Sequence, residues 1–201
     1  MAAKQSFNER VRFYDYGAVL SRNAVFNVVI GPRGDGKTYG AKQLAIRNAI
    51  KKGEQFILLR RYSTELGTRV SFFDDIAHNI QKEFPGYVFR VEGLEAQMKK
   101  PGSRKYETIG YFVALSKAQQ KKSVSYAKVT TIIFDEFIID KGAVRYLPSE
   151  TKVLLDFFIT VDRYQERTRV IMISNTVSIM NPYFIDWDIK VEDYQEFFTL
   201  S

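Results

Sequence analysis

Residues Gly31-Pro32-Arg33-Gly34-Asp35-Gly36-Lys37-Thr38 match the pattern G-x-x-x-x-G-K-[ST] at every fixed position. Such a loop works only between a strand and a helix, so it constrains the chain to an α/β architecture before any other residue is read. The apolar run Val25 to Ile30 predicts the strand, and Tyr39 to Lys52, rich in Ala, Leu, Ile, Gln and Lys, predicts the helix. Three glycines let the backbone wrap an anion with its N–H groups turned inward. The helix behind the loop adds the positive end of its dipole. Lys37 is placed to reach the β- and γ-phosphates, and the Thr38 hydroxyl to sit on Mg²⁺. The pattern therefore assigns Gly31, Pro32, Arg33, Gly34, Asp35, Gly36, Lys37, Thr38 and the adjoining Tyr39 to binding a nucleoside triphosphate.

The rest of the chain alternates strand and helix, as an open sheet flanked by helices requires. Gln55 to Arg60 reads as a second strand, Ser71 to Glu83 as a helix, and Tyr87 to Val91 and Tyr106 to Leu115 as strands joined by a basic loop. Val129 to Phe134 reads as a central parallel strand, Ser149 to Val161 as a helix and Arg169 to Ile173 as another central strand. The strand Thr130 to Phe134 ends in Asp135-Glu136, where the carboxyl ends of such a sheet bind ligands. Asp135 fits the Mg²⁺ shell as a Walker B acid. Glu136 fits the base that polarises a water for attack on the γ-phosphate. Paired acids suit hydrolysis, whereas a small-molecule kinase would need an acceptor site. Ser174 and Asn175, at the end of the last strand, are candidates for sensing the γ-phosphate. Ring ATPases take a further cation from a neighbouring subunit as an arginine finger. Arg163, Arg167 and Arg169 follow the long helix, and equally suit a helix end complementing its dipole.

The formal charge is +7 and the pI about 9.4, which favours a polyanionic partner. The 201 residues suffice for one domain with a full core. With no cysteine and one histidine, disulfides, zinc-thiolate sites and redox chemistry are excluded from the reading. No apolar run approaches a membrane span and no signal-peptide pattern opens the chain, so an intracellular protein without a membrane role is expected.

With these motifs assembled, the chain resembles the DNA packaging ATPases of φ29-like tailed phages along essentially its whole length. The most particular blocks are Gly53-Glu54-Gln55-Phe56-Ile57 with Arg60-Arg61-Tyr62, and Ser174-Asn175-Thr176-Val177-Ser178 with Asn181-Pro182-Tyr183-Phe184. The resemblance implies a P-loop NTPase of the additional-strand, catalytic-glutamate (RecA/FtsK-like) type, with a central, mostly parallel sheet flanked by helices. It implies ATP and Mg²⁺ and a homopentameric ring at the portal of a prohead in the host cell cytoplasm. There the ring drives double-stranded DNA inward, in some relatives docked through a packaging RNA. It also places the trans-acting arginine on Arg163 and a second trans-acting cation on Lys122. Tyr164-Gln165 interrupts the family's run of arginines and leaves Arg167 as a substitute. Family members add a C-terminal nuclease-like domain, so residues 1–201 are expected to be the motor domain alone.

Lys99, Lys100, Arg104 and Lys105, and Lys141 with Arg145, are candidate pore-loop cations that would meet phosphates without reading bases. Arg60-Arg61 either couples nucleotide state to DNA grip or pairs with acids such as Glu65. Phe13, Tyr14 and Tyr16 could stack on adenine but suit core packing better, and His78 and Trp187 read as structural. The alternatives are another P-loop nucleic-acid motor such as a helicase, a small-molecule kinase and a nucleotide-dependent assembly ATPase.

Overall fold

The computed structural model describes residues 14–121, 125–139, 144–175, 178 and 180–190. A short helix α1 (Tyr16–Leu20) precedes β1 (Phe26–Ile30), α2 (Lys37–Lys52) and β2 (Gln55–Arg60). A 3-10 segment (Ser63–Ser71), α3 (Ala77–Glu83) and the strands β3 (Val88–Glu92), β4 (Glu95–Lys99) and β5 (Glu107–Ala114) follow. After a second 3-10 segment (Leu115–Lys121) come β6 (Val129–Asp135), α4 (Glu150–Asp162), β7 (Arg169–Ser174) and α5 (Pro182–Asp186).

All seven strands join one sheet in the order β1-β7-β6-β2-β5-β4-β3. The first five run parallel, and β4 and β3 add an antiparallel extension. The predicted α/β class and mostly parallel sheet match this arrangement. β7 lies between β1 and β6, so the strand before the glycine-rich loop is separated from the strand carrying Asp135.

Alternation along each strand divides the core between the two faces of the sheet. Phe56, Leu58, Ile133, Ile171 and Ile173 pack with α2 residues on one face. Ile57, Leu59, Ile132, Phe134, Val170 and Met172 pack with α4 residues such as Leu154 and Phe157 on the other. Gly110 on β5 shows how tight the first layer is: a Cβ there would come within 2.6 Å of the Phe56 ring. Trp187 packs at steep angles against Phe26 and Tyr183, consistent with its structural reading.

Two local expectations change. The segment 71–83 is not one helix: the end of a 3-10 segment and a hydrogen-bonded turn carry Phe72 and Phe73 inward, and only Ala77–Glu83 is α-helical. β4 occupies part of what reads as a basic loop. Its sequence, EAQMK, lacks the β-branched and aromatic residues that announce a strand, and its pairing with β3 and β5 supplies what propensity does not.

Candidate functional site

Four parallel strands deliver their carboxyl ends to one edge of the sheet: β1 leads into the glycine-rich loop, β2 ends in Arg60, β6 in Asp135 and β7 in Ser174. The loop closes on α2 through Gly36, whose φ of 73° is a left-handed conformation suited to glycine. Lys37 is 3% exposed. Its ammonium donates to the carbonyls of Gly31 (2.9 Å) and Pro32 (2.6 Å) within its own loop. Burial lowers its proton affinity below the ordinary lysine value, with Asp35 and Asp135 opposing. Pro32, Arg33, Gly34 and Asp35 are exposed along the crest of the loop, with Gly31 and Gly36 half-buried at its base.

The two halves of the motif meet directly. The Thr38 hydroxyl donates to Asp135 Oδ1 at 3.0 Å, across 97 residues of sequence. Burial raises the Asp135 carboxyl above its ordinary value, while Arg60 and the Thr38 hydrogen bond pull it back. Glu136, next along, is half exposed and adopts a left-handed φ of 57°, unusual for a residue other than glycine. Arg60 spans both acids, with Nη1 3.1 Å from Asp135 and Nη2 2.5 Å from Glu136, and Glu65 lies 3.9 Å away. Pairing of Arg60 with acids, including the anticipated Glu65, is thus part of its environment.

Beside these groups a cavity of about 130 Å³ is lined by Thr38, Lys42, Arg60, Glu65 and Asp135 among others. The Arg60 Nε is buried at this place with no hydrogen-bond partner in the described structure. A hydroxyl and a carboxylate side by side are hard oxygen ligands of the kind Mg²⁺ prefers. An unpartnered N–H donor beside them calls for an acceptor such as a phosphate oxygen or a water. The residues present therefore fit a magnesium-bound triphosphate.

Sequence reasoning missed the support beneath Glu136. Arg61 is 2% exposed. Its Nε donates to both Glu150 oxygens (3.0 and 2.8 Å), and Nη1 and Nη2 donate to the carbonyls of Glu136 (3.3 Å) and Phe137 (2.6 Å). Glu150 is held in turn by the Leu147 N–H (2.7 Å) and the Tyr183 hydroxyl (2.7 Å). This buried network fixes the backbone that carries Glu136. Its signal in the sequence is faint: a second arginine after a strand, and an acid in the first turn of a helix 89 residues later.

Other predicted residues fall in several places. Asn175 is exposed at the same edge, one residue beyond β7; Ser174 is buried, and its carbonyl accepts from the Gly31 N–H at 3.4 Å. Tyr39 stands in the first turn of α2, where its hydroxyl accepts from Asn79 at 2.7 Å and its ring packs against the core. Tyr16 is buried with its hydroxyl on the Lys37 carbonyl, in keeping with core packing. Lys99 belongs to β4 rather than to a loop, and its ammonium and the Arg90 guanidinium both lie over the Tyr106 ring. Lys100 pairs with Glu107 at 2.9 Å. Arg104, Lys105 and Arg145 are exposed. Lys122, Lys141 and Phe13 lie outside the described residues.

Arg163 caps the C-terminus of α4, exposed, and its guanidinium has no partner among the described residues. It stands at the opposite edge of the sheet, where β6 and β7 begin. β6 climbs six residues from Val129 to Asp135, about 20 Å at 3.3 Å per residue. Arg167 is not comparably free: its Nε donates to the Val129 carbonyl (3.2 Å) and its Nη2 to those of Tyr126 (3.2 Å) and Val161 (3.0 Å).

The model of the podovirus DNA encapsidation protein (Gp16) matches residues 8–200. The chain belongs to that family. Its relatives include the DNA packaging protein of Bacillus phage phi29, 40% identical over 177 residues, which are 88% of this chain and 50% of that protein. The DNA packaging protein of Bacillus phage B103 is 43% identical over 167 residues, 83% of this chain and 49% of that one. The chain thus spans about half the length of these Gp16-family relatives. The N-terminal domain of the bacteriophage phi29 DNA packaging ATPase superposes with a TM-score of 0.83 at 38% identity, covering 94% of this chain and 92% of that one. A large terminase ATPase domain from Thermus phage P74-26 shares the fold alone, with a TM-score of 0.54 at 10% identity, over 91% of this chain and 72% of that one.

Proposed function

We propose that this Gp16-family chain is an ATP-hydrolysing motor domain that moves double-stranded DNA into a prohead as part of a subunit ring. The observation that carries the reading is the 3.0 Å contact of Thr38 with Asp135, which joins the phosphate loop to a strand end bearing Glu136. Backbone N–H groups of Arg33 to Thr38 cradle the phosphates, and Lys37 exchanges its two loop carbonyls for β- and γ-phosphate oxygens. Thr38 and Asp135 would hold Mg²⁺, which would supply neutralisation of the phosphate charge. Glu136, once released by Arg60, accepts the proton of the attacking water, and Asn175 is close enough to the same edge to monitor the γ-phosphate. The position of β7 between β1 and β6 supports the additional-strand, catalytic-glutamate class.

Arg163 lies on the far edge from its own loop, a distance that a guanidinium arm does not cross. That geometry supports action on the site of a neighbouring copy, in a ring the family resemblance makes pentameric, with Lys122 as the second cation supplied in trans. The exposed Arg104 and Lys105, with Lys99, Lys100, Lys141 and Arg145, are the cations assigned to DNA phosphates. Portal docking, a packaging RNA in some relatives and the host cytoplasm complete the proposal. Glu136→Gln tests it: ATP binding is retained while turnover falls about 10²–10⁴-fold, as expected for loss of a general base, and DNA packaging stops. Parental turnover in that variant would transfer the base to another residue.

A further inference from the structure

Three of the seven left-handed non-glycine residues in the described chain fall within four positions: Arg163 (φ 52°), Tyr164 (φ 58°) and Glu166 (φ 54°). Ending α4 requires one such residue, and Arg163 is already that cap, with its N–H on the Ile159 carbonyl. Tyr164 and Glu166 add strain that helix termination does not need. Conformations of this kind persist only where the surroundings enforce them.

The enforcing group is Asp162, which is 3% exposed. Its Oδ2 accepts from the Glu166 N–H (2.9 Å), and its Oδ1 from those of Arg167 (3.1 Å) and Thr168 (2.9 Å). The Asp162 carbonyl accepts from the Gln165 N–H at 3.1 Å. Burial alone would raise the carboxyl, yet these backbone donors hold it below its ordinary value. From below, the Arg167 guanidinium ties the corner to the start of β6. What projects is Arg163 and Tyr164, the latter 82% exposed. The backbone N–H groups of Arg163 and of residues 165–168 are all anchored, while the Arg163 guanidinium is left to meet something outside the subunit.

We propose that Asp162 is a positioning residue for the cation supplied in trans: its carboxylate fixes the 163–166 corner so that Arg163 is presented to the nucleotide site of the neighbouring copy. The inference rests on the reading of Arg163 as a trans-acting group. A finger contributes most when its geometry is set before the reaction, because orientation is then not sought at the transition state. Asp162 supplies that order from within the subunit that does not bind the reacting nucleotide.

The test uses the full-length protein assembled into rings. Asp162→Asn turns one acceptor oxygen into an NH₂ group that cannot accept from the Glu166 N–H. The expected result is a kcat lowered about 10²-fold, the scale of a 1 Å misplacement, with KM for ATP unchanged because the nucleotide loop is at the other edge. Mixing with Glu136→Gln subunits restores activity, since those supply an ordered Arg163 to the intact Glu136 sites of Asp162→Asn. Mixing with Arg163→Ala subunits does not. Glu166→Pro deletes the same N–H and forbids the left-handed φ at an exposed position, and gives the same pattern should Asp162→Asn fold poorly. Parental kcat in both variants, or a loss that Glu136→Gln subunits fail to rescue while they do rescue Arg163→Ala, overturns the role of Asp162. Failure to rescue Arg163→Ala itself removes the trans-acting reading, and the positioning role with it.

Discussion

The two edges of the parallel sheet handle charge in opposite ways. At the nucleotide edge the functional groups lie on one another: Lys37 on its own loop carbonyls, Thr38 on Asp135, Arg60 across Asp135 and Glu136. At the far edge, in the corner after α4, the buried charges lie on fixed backbone, Asp162 on three N–H groups and Arg167 on three carbonyls, with the Arg163 guanidinium left outside. The first edge is built of partners that a triphosphate can replace, one for one, and the second of partners that nothing displaces. A site that must accept and release a ligand needs the former. A group that must meet a neighbour's site in fixed geometry needs the latter.

The comparison breaks first at Lys37. Lys37→Ala is expected to weaken ATP binding about 10²–10⁴-fold, the loss of two charge-assisted contacts worth about 1.5–3 kcal/mol each. Calorimetric titration measures it, and an unchanged affinity would mean that the loop does not hold the phosphates.

Support for the nucleotide edge is next. Arg61→Ala leaves Glu150 buried without its cation, which costs about 3–5 kcal/mol of stability. Arg47→Ala, which removes an exposed pair with Glu83, costs less than about 1 kcal/mol. Urea unfolding of the two variants tests the contrast, and equal losses would show that the Arg61 network is not a buried brace.

Arg61 also marks the limit of what the sequence makes legible. Lys37 and Thr38 are readable because the motif is contiguous, and Asp135-Glu136 because an apolar strand runs straight into them. The α/β class and most strand and helix positions follow from apolar periodicity and from where Gly53 ends α2. Arg61 and Glu150 meet only through the packing of α4 on the sheet. Asp162 acts on backbone N–H groups, which carry no residue signature. β4 escapes because its pairing, not its composition, makes it a strand, and Lys99 moves from loop to strand with it.

The smallest expected effect sharpens the account of the far edge through pH. Asp162 keeps its charge in the folded chain to lower pH than in the unfolded chain, where it protonates near 3.8. Its contribution to stability is therefore complete above that value and is lost as pH falls through the lower, folded-state value. Asp162→Asn lacks this dependence, so the stability gap between parent and variant should narrow as pH drops below about 3.8. A gap independent of pH in chemical denaturation would show that the carboxylate's charge is not what holds the corner.

If the carboxyl-end edge of one subunit is completed by the α4 corner of another, hydrolysis depends on assembly. Steady-state ATP turnover per subunit, followed from dilute monomer through ring assembly, tests it most directly. Turnover per subunit is expected to rise as rings form, and Arg163→Ala to stay at the monomer level across the same range. A turnover per subunit that is constant from monomer to ring, with Arg163→Ala indistinguishable from the parent, would contradict it.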